Sequence, residues 1–196
     1  MSLIKSFSYN QKEIIQNALS LHAIDGPILD PAYGKGNMWP DVDYKFDINP
    51  QTEDTQQGDC RKLPFKDGEI ATVIFDPPFL ATKRPSLKKK SGNIINKRFS
   101  VFPTEKELFD FYMDSLYEFW RVLKKKGIVI FKCQDKVSSG KQYWSHCLIW
   151  EMAREIGFYP VDLFVLLAKN RIVANWQKNQ KHARKFHAYF WVLRKV

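Results

Sequence analysis

The sequence predicts an α/β fold in which a mainly parallel, seven-stranded sheet has an antiparallel edge. Short apolar runs alternate with helical patterns along most of the chain, and this alternation is typical of parallel strands joined by helices. The last two strand patterns have no helical pattern between them, so they are expected to pair antiparallel at one edge. At 196 residues the chain is long enough for one core and too short for two, which predicts a single domain over residues 1–196.

The first half of the chain contains one predicted helix and four predicted strands. The helix runs from Asn10 to about His22, and the spacing of Asn10 and Glu13 is that of a capping box. The strands are expected at 27–30, at 44–47, just before Gly58 and at 71–76. The connections after Gly36 and after Asp47 are too short for full crossover helices, which predicts a fold trimmed of some of them.

The second half begins with a basic segment, 80–103, that has no clear period and is predicted to be a mobile substrate loop. Thr104 and Glu107 form the capping box of the clearest helix, which the basic residues 124–126 and Gly127 are expected to end. A strand at 128–132, a helix at about 143–156 and strands at 161–168 and 186–193 complete the prediction.

Acidic residues follow four of the predicted strands, namely Asp30, Asp47, Asp59 and Asp76. The carboxyl ends of parallel strands meet at one edge of a sheet, which is where ligands bind in open α/β sheets. The last acid is followed by Pro77, Pro78 and Phe79, and the two prolines end the strand ladder. A carboxylate fixed beside an aromatic ring suits a flat heterocycle with an amino group, because the acid accepts the amine hydrogens and the ring stacks on the base.

Three segments resemble motifs of the S-adenosylmethionine-dependent amino-methyltransferases. Asp76-Pro-Pro-Phe79 resembles their (Asp/Asn/Ser)-Pro-Pro-aromatic tetrapeptide, and the loop from Asp30 to Gly36 resembles their Gly-containing donor loop. The closing run from Lys185 to Arg194 is similar to their last strand. The order of the motifs and the small size resemble phage-type DNA N6-adenine and N4-cytosine methylases. The resemblance extends from about residue 27 to the end and implies a Rossmann-like class I methyltransferase fold.

The resemblance also implies a cofactor and a set of site residues. S-adenosylmethionine would be bound by Asp30, Ala32, Gly34, Gly36, Asp47 and Asp59, with Asp47 at the ribose hydroxyls and Asp59 at the adenine amine. The catalytic residues would be Asp76, Pro77, Pro78 and Phe79. The expected reaction is methyl transfer to an exocyclic amine of a nucleobase, adenine or cytosine in DNA, and it requires no metal.

The charge distribution favours a nucleic acid as the partner. The net charge is +10, and the stretches 77–104 and 163–196 contain seven and eight basic residues without one acid. DNA is favoured over RNA as the substrate. The expected contact residues are Lys83, Arg84, Lys88, Lys89, Lys90, Lys97, Arg98, Lys181 and Arg184.

Three alternatives remain open at this point. An RNA amino-methyltransferase would use the same site, and a non-catalytic nucleic-acid-binding subunit would need only the basic segments. A protein glutamine methyltransferase has Asn at the first position of the tetrapeptide, so Asp76 and the positive charge count against it. The missing crossover helix would leave one sheet face thinly covered, which suggests a homodimer or another partner.

The remaining sequence features bear on the cell compartment. The three cysteines lack the paired spacing of a metal site and are expected to be reduced thiols. No apolar run has transmembrane length, and the first twenty residues lack the core of a signal peptide. A cytoplasmic protein that does not engage a membrane is therefore expected.

Overall fold

The computed structural model describes residues 3–36, 38–39, 41–81, 102–138, 140–170 and 181–196. In these ranges three helices are α1 (Gln11–His22), α2 (Glu105–Val122) and α3 (Ser145–Ile156). The strands of the main sheet are β1 (Phe7–Ser8), β2 (Ile28–Asp30), β3 (Tyr44–Asp47), β4 (Gln56–Gln57), β5 (Ile70–Phe75), β6 (Leu123–Cys133), β9 (Phe158–Leu167) and β10 (His187–Lys195). Strands β7 (Lys136–Ser138) and β8 (Lys141–Tyr143) form a separate antiparallel hairpin.

The eight strands of the main sheet lie in the order β1-β9-β10-β6-β5-β2-β3-β4. All neighbouring pairs are parallel except those of β10, which runs antiparallel to both β6 and β9. The predicted mainly parallel sheet with antiparallel pairing towards one edge is therefore confirmed. The strand order reverses between β2 and β5, and such a reversal opens a crevice at the carboxyl ends of the two strands.

Helix α1 covers one face of the sheet. Asn10 caps it by accepting a hydrogen bond from the Lys12 backbone N–H, whereas Glu13 accepts from Ser8 Oγ and does not close the predicted capping box. The buried side chains of the helix, Ile14 and Ile15 among them, pack with residues of β5, β6 and β10 into one of the two apolar clusters. Burial of this stripe stabilises a helix too short to be stable alone in water.

Helices α2 and α3 cover the opposite face, where the larger apolar cluster lies. Thr104 caps the start of α2 as predicted, with the Glu107 N–H donating to Thr104 Oγ1 over 3.1 Å. The Glu107 carboxylate accepts from the Thr104 hydroxyl and not from the Thr104 backbone N–H, so the predicted capping box forms only in part. Phe119 packs edge-on against Phe75 of β5, with ring centroids 4.8 Å apart. Strand β5 is buried along its whole length between the two layers, so it is the central strand of the molecule.

The structure corrects several predicted boundaries. Helix α2 ends at Val122, and residues 124–126 belong to β6, where Lys126 adopts a positive φ of 67° within a bulge opposite β5. Strand β1 adds an eighth strand, because Phe7 and Ser8 pair with the outer side of β9. The closing strand β10 is interior to the sheet, because it pairs with β9 on one side and with β6 on the other. Tyr143, predicted as the start of a helix, is the last residue of β8, and the helix begins at Ser145.

No helix in the described part of the chain is long and apolar enough to cross a membrane. The three cysteines form no disulfide; Cys60 and Cys133 are buried and Cys147 is exposed.

Candidate active site

Three of the predicted acids lie at the carboxyl ends of neighbouring parallel strands. Asp30 ends β2 and Asp47 ends β3, while Asp76 follows β5 directly. Strands β3, β2 and β5 are consecutive in the sheet, so the three side chains lie at one rim, beside the point where the strand order reverses. The structure thus brings together residues that are up to 46 positions apart in the sequence.

The glycine loop after β2 is held by the end of β3. The Gly34 N–H donates to Asp47 Oδ2 over 2.9 Å, and the Tyr33 N–H donates to the Phe46 carbonyl. Gly34 has φ +56°, and a Cβ atom added there would meet nothing within 4 Å. Gly36 has φ +71°, a conformation that favours glycine, and a Cβ added there would also lie 2.5 Å from the Tyr33 hydroxyl.

Asp47 also accepts a hydrogen bond from the Asn49 N–H, to its Oδ1 over 2.8 Å. Each oxygen of a carboxylate can accept two hydrogen bonds. The contacts from Asn49 and Gly34 use one position on each oxygen, so each keeps a second one. The half-buried Asp47 side chain can therefore take two further donors.

Asp30 differs from the other acids because only 1% of it is exposed. Burial raises the pKa of Asp30 to about 8; the hydrogen bond from the Ala32 N–H opposes this shift, and the nearby charges of Asp76 and Asp47 add to it. Asp30 is therefore largely protonated at neutral pH. Its visible contact is the 3.0 Å bond to the Ala32 N–H, which fixes the first turn of the glycine loop.

Asp59 follows the edge strand β4, and its carboxylate is bonded by the Arg61 side chain. Nε of Arg61 donates over 3.0 Å and Nη2 over 2.7 Å, and the Arg61 backbone N–H donates as well. These bonds from Arg61 hold the pKa of Asp59 below its usual value. Asp59 lines a groove of about 570 Å³ together with residues of α2, and none of the other predicted donor residues lines that groove.

Asp76 forms an ion pair with Lys132 of β6. Nζ of Lys132 lies 2.8 Å from Asp76 Oδ2 and 2.8 Å from Gln11 Oε1, and it sits 5.8 Å from the centre of the Phe190 ring. The lysine is therefore fixed by three neighbouring elements. The lysine bonds Oδ2 and so orients the carboxylate, while among the described residues no hydrogen bond uses Oδ1.

The residues after Asp76 are held through their backbone. The buried Tyr112 hydroxyl donates to the Pro78 carbonyl over 2.6 Å. Nζ of Lys136 donates to the Phe79 carbonyl over 2.6 Å and pairs with Glu105 Oε2 at 2.8 Å. Neither contact uses the Pro77 carbonyl. The chain then reaches Ala81, which forms an isolated parallel bridge with Phe102.

Most of the predicted nucleic-acid contacts lie outside the described residues, namely Lys83, Arg84, Lys88, Lys89, Lys90, Lys97 and Arg98. The predicted loop 80–103 also lies outside them except at its two ends. Lys181 is exposed and Arg184 is half-buried, and both precede β10.

Three side chains at the site were not assigned a role from the sequence. Lys132 stands at the end of a predicted strand, so its position gives a usable signal, and Lys136 follows it by four residues. Tyr112 lies on the apolar face of α2, where an aromatic residue is typical of the core, so no sequence feature marks its contact with Pro78.

No protein-family model and no curated protein sequence matches the chain. Similar solved structures include a chain of the complex between the Haloferax volcanii Trm112 methyltransferase activator and a candidate methyltransferase, with a TM-score of 0.55, 16% identity and coverage of 92% of this chain and 87% of that one. An S-adenosylmethionine-dependent methyltransferase from Methanosarcina mazei matches with a TM-score of 0.53 and 11% identity over 91% of this chain and 96% of that one.

A candidate DNA modification methylase from Thermus thermophilus matches with a TM-score of 0.50 and 16% identity over 78% of this chain. The match covers 54% of that protein, so the chain spans about half of its length. These similarities identify the fold together with the strand order and with β10, the strand that runs antiparallel to its neighbours in the main sheet. The chain has the Rossmann-like fold of the class I methyltransferases.

Proposed function

We propose that the protein transfers a methyl group from S-adenosylmethionine to an exocyclic amine of a nucleobase in DNA, adenine or cytosine. One observation carries the proposal: the glycine loop and the Asp76–Phe79 tetrapeptide follow the two strands, β2 and β5, between which the strand order reverses. Their acids are close enough that the charges of Asp47 and Asp76 both raise the pKa of the buried Asp30. A donor site and an acceptor site so placed can share one crevice.

The glycine loop and Asp47 fit the donor. Asp47 keeps one acceptor position on each oxygen, which matches the two hydroxyl groups of a ribose. The open space over Gly34 leaves room for the rest of the ligand. Asp30 would support the loop through Ala32 rather than touch the donor, because it is buried. Asp59 would reach the adenine amine only if Arg61 released part of its carboxylate.

The tetrapeptide would position the acceptor nitrogen. The bound donor supplies an electrophilic methyl group on a sulfonium. Asp76 Oδ1 and the Pro77 carbonyl would accept the two amine hydrogens, which turns the nitrogen lone pair towards that methyl group. The new N–C bond would form as the S–C bond breaks with its electron pair left on sulfur, and one amine proton would be released to water. Phe79 would stack on the base once it has left the helix.

The substrate class rests on charge and on similarity of fold. The net charge of +10 and the two acid-free stretches favour a polyanion. The Thermus protein is named as a candidate DNA modification methylase, but this chain spans only about half of it, so the comparison supports DNA without identifying the base. An activator is part of the Haloferax complex, and we likewise propose a partner of this chain, another protein or a second copy, on the sheet face where α1 packs. We infer that residues 1–196 act as one domain.

The proposal is tested by methylation with a tritiated donor on duplex DNA, total RNA and protein, followed by nuclease digestion to identify the methylated nucleoside. We expect label in N6-methyladenine or N4-methylcytosine. Label in RNA alone would show that the substrate is RNA rather than DNA, with the proposed reaction unchanged. Label in protein would refute a nucleobase target. Calorimetry should show donor binding to the intact protein. Binding to nucleic acid without any donor binding would indicate a non-catalytic subunit.

A further inference from the structure

The hairpin β7–β8 is an addition to the main sheet that sits against the tetrapeptide. It follows β6, the neighbour of β5, after only two residues. Lys136 of the hairpin bonds the Phe79 carbonyl, and its ladder partner is Tyr143. The Tyr143 ring also lies 6.3 Å from Phe109 of α2. The hairpin is therefore fixed beside the proposed acceptor site.

Each of two aromatic rings at the end of the hairpin is in cation–π contact with a lysine ammonium group. Nζ of Lys185 lies 4.8 Å from the centre of the Trp144 ring, and Nζ of Lys141 lies 5.5 Å from that of Tyr143. Trp144 is 51% exposed. We call Lys141, Tyr143, Trp144 and Lys185 the hairpin surface. Aromatic faces flanked by cations suit unpaired nucleic acid, because bases stack on the rings while the cations meet phosphates.

Helix capping and core packing do not explain Trp144. The residue is the N-cap of α3, a position that favours Ser, Thr, Asp or Asn, and its side chain makes no capping hydrogen bond. Its ring approaches His146 only edge-on, with 6.3 Å between the ring centres. With Trp144 at this position, the helix lacks a side-chain capping bond, and the large aromatic ring buries little apolar surface in return. Such a conflict with local preference is expected at a functional position.

The local charge indicates a polyanion as the occupant. Of the nearby acids, Glu105 is paired with Lys136, and Asp135 is buried and bonded to His146. The chain from 163 to 196, which supplies Lys185, has no acid. The exposed part of the hairpin surface is thus aromatic and positive.

We propose that the hairpin surface binds the unpaired nucleotides next to the target base, with a neighbouring base stacked on Trp144 and phosphates near Lys141 and Lys185. The proposal rests on the proposed function in that it takes the substrate to be a nucleic acid. Beyond that function, it specifies where the nucleic-acid strand lies on the protein. It also predicts a preference for unpaired over duplex nucleic acid near the target.

Fluorescence anisotropy with a labelled oligonucleotide of about 16 nucleotides, single-stranded and in duplex, tests the surface. Trp144→Ala should weaken single-strand binding about 5- to 100-fold, and Trp144→Phe should restore part of the loss, since a phenyl ring still stacks. Lys185→Gln should lower the slope of log affinity against log salt by about 0.7. Thermal melting of each variant confirms that it is folded.

Trp150→Ala is the matched control. Trp150 is 37% exposed, lies on the same helix and carries Arg154 at 4.7 Å from its ring centre, but it is more than a turn further along α3, away from the hairpin. We expect binding by this variant to equal that of the unmodified protein. Equal losses in the two Ala variants, or a loss confined to duplex, would overturn the proposal.

The same experiments separate this proposal from the proposed function. If the protein methylates nucleic acid but Trp144→Ala binds the oligonucleotide as well as the unmodified protein does, the proposed binding role of the hairpin surface is wrong. The proposed function is then unaffected. Trp144-dependent binding in a protein that methylates no nucleic acid overturns the reaction and supports the surface. Trp144-dependent capture of a protein partner, without oligonucleotide binding, overturns the surface as described.

Discussion

The two halves of the candidate site are held in different ways. The proposed donor half, residues 30–36 with Asp47, is fixed by carboxylates that accept backbone N–H groups of the loop itself and of Asn49, which follows β3. The acceptor half, residues 76–79, is fixed by side chains from remote elements, with Tyr112, Lys132 and Lys136 reaching it from α2, β6 and the hairpin.

This difference separates two physical tasks. A loop that must enclose a ligand benefits from glycines and from contacts that span few residues, because they leave its surface open. A group that must orient a reacting nitrogen has to be rigid, and contacts from several elements restrict it in several directions. Changes in the donor half should therefore affect donor binding and stability, whereas changes in the acceptor half should affect turnover.

The largest expected effect is that of Asp76→Ala. Under the proposed function, loss of the carboxylate that would orient the amine should reduce methyl transfer about 10⁴-fold, while the donor dissociation constant stays within a few-fold. Single-turnover transfer of tritium and calorimetry of donor binding measure the two quantities. Equal losses of affinity and turnover would instead place Asp76 in the donor pocket.

Lys132→Gln serves as the companion variant, because it removes the ion pair and keeps Asp76. We expect kcat to fall about 10²-fold with the donor dissociation constant unchanged, since the carboxylate loses its fixed orientation. Turnover at the level of the unmodified protein would show that Lys132 has no positioning role.

The second effect concerns stability and comes from Asp30 in the donor half. Its pKa in the folded state is raised to about 8 from 3.8, so its favourable contribution is complete below pH 3.8 and is lost as the pH rises towards 8. Asp30→Asn should remove this decline, which amounts to at most about 6 kcal/mol across the interval. Urea unfolding at several pH values measures it. Parallel pH dependences for the two proteins would contradict the burial of a protonated Asp30.

The third effect is a loss of donor affinity in Asp47→Ala. Removing the acceptor of the Gly34 N–H and of two ligand hydroxyls should weaken donor binding by about 1.5–3 kcal/mol. Asp54→Ala is the control, since that exposed acid is paired with Lys45 of the same strand β3 and does not contact the loop. Similar calorimetric losses in both variants would assign the effect to charge alone.

The smallest effect is expected for Tyr112→Phe. The variant loses the hydrogen bond to the Pro78 carbonyl, which should cost about 1 kcal/mol of stability and lower kcat a few-fold. Tyr117→Phe, an exposed position on the same helix, provides the baseline for urea unfolding and turnover. A change in donor affinity without a change in turnover would break the proposed division between the two halves.

The difference between the two halves of the site also explains which site residues could be predicted from the sequence. The strand-end acids and the glycine turn could be located because their contacts are local: Asp30 to Ala32 spans two residues and Asp47 to Asn49 spans two. The side chains that hold the tetrapeptide could not be located from the sequence. Tyr112 bonds Pro78 across 34 residues, and Lys132 bonds Asp76 across 56. Such pairs depend on the strand order, which periodicity does not encode.

The boundary errors have a similar origin. Lysines 124–126 followed by glycine are typical of a helix end, but pairing of β6 with β5 begins at Leu123 and draws these residues into the sheet. The hairpin β7–β8 was missed because its strands are three residues each, too short for an alternating pattern to show.

The bridge between Ala81 and Phe102 has a consequence for changes in the stretch that it closes. Because it joins the two ends of the intervening stretch, with the Phe102 N–H donating to the Leu80 carbonyl over 3.3 Å, the anchor points stay together whatever lies between them. Insertions, deletions or whole replacements of that stretch leave both the tetrapeptide and the start of α2 in place. Under the proposed function, changes in the length or sequence of this predicted substrate loop would therefore leave the proposed acceptor site in place.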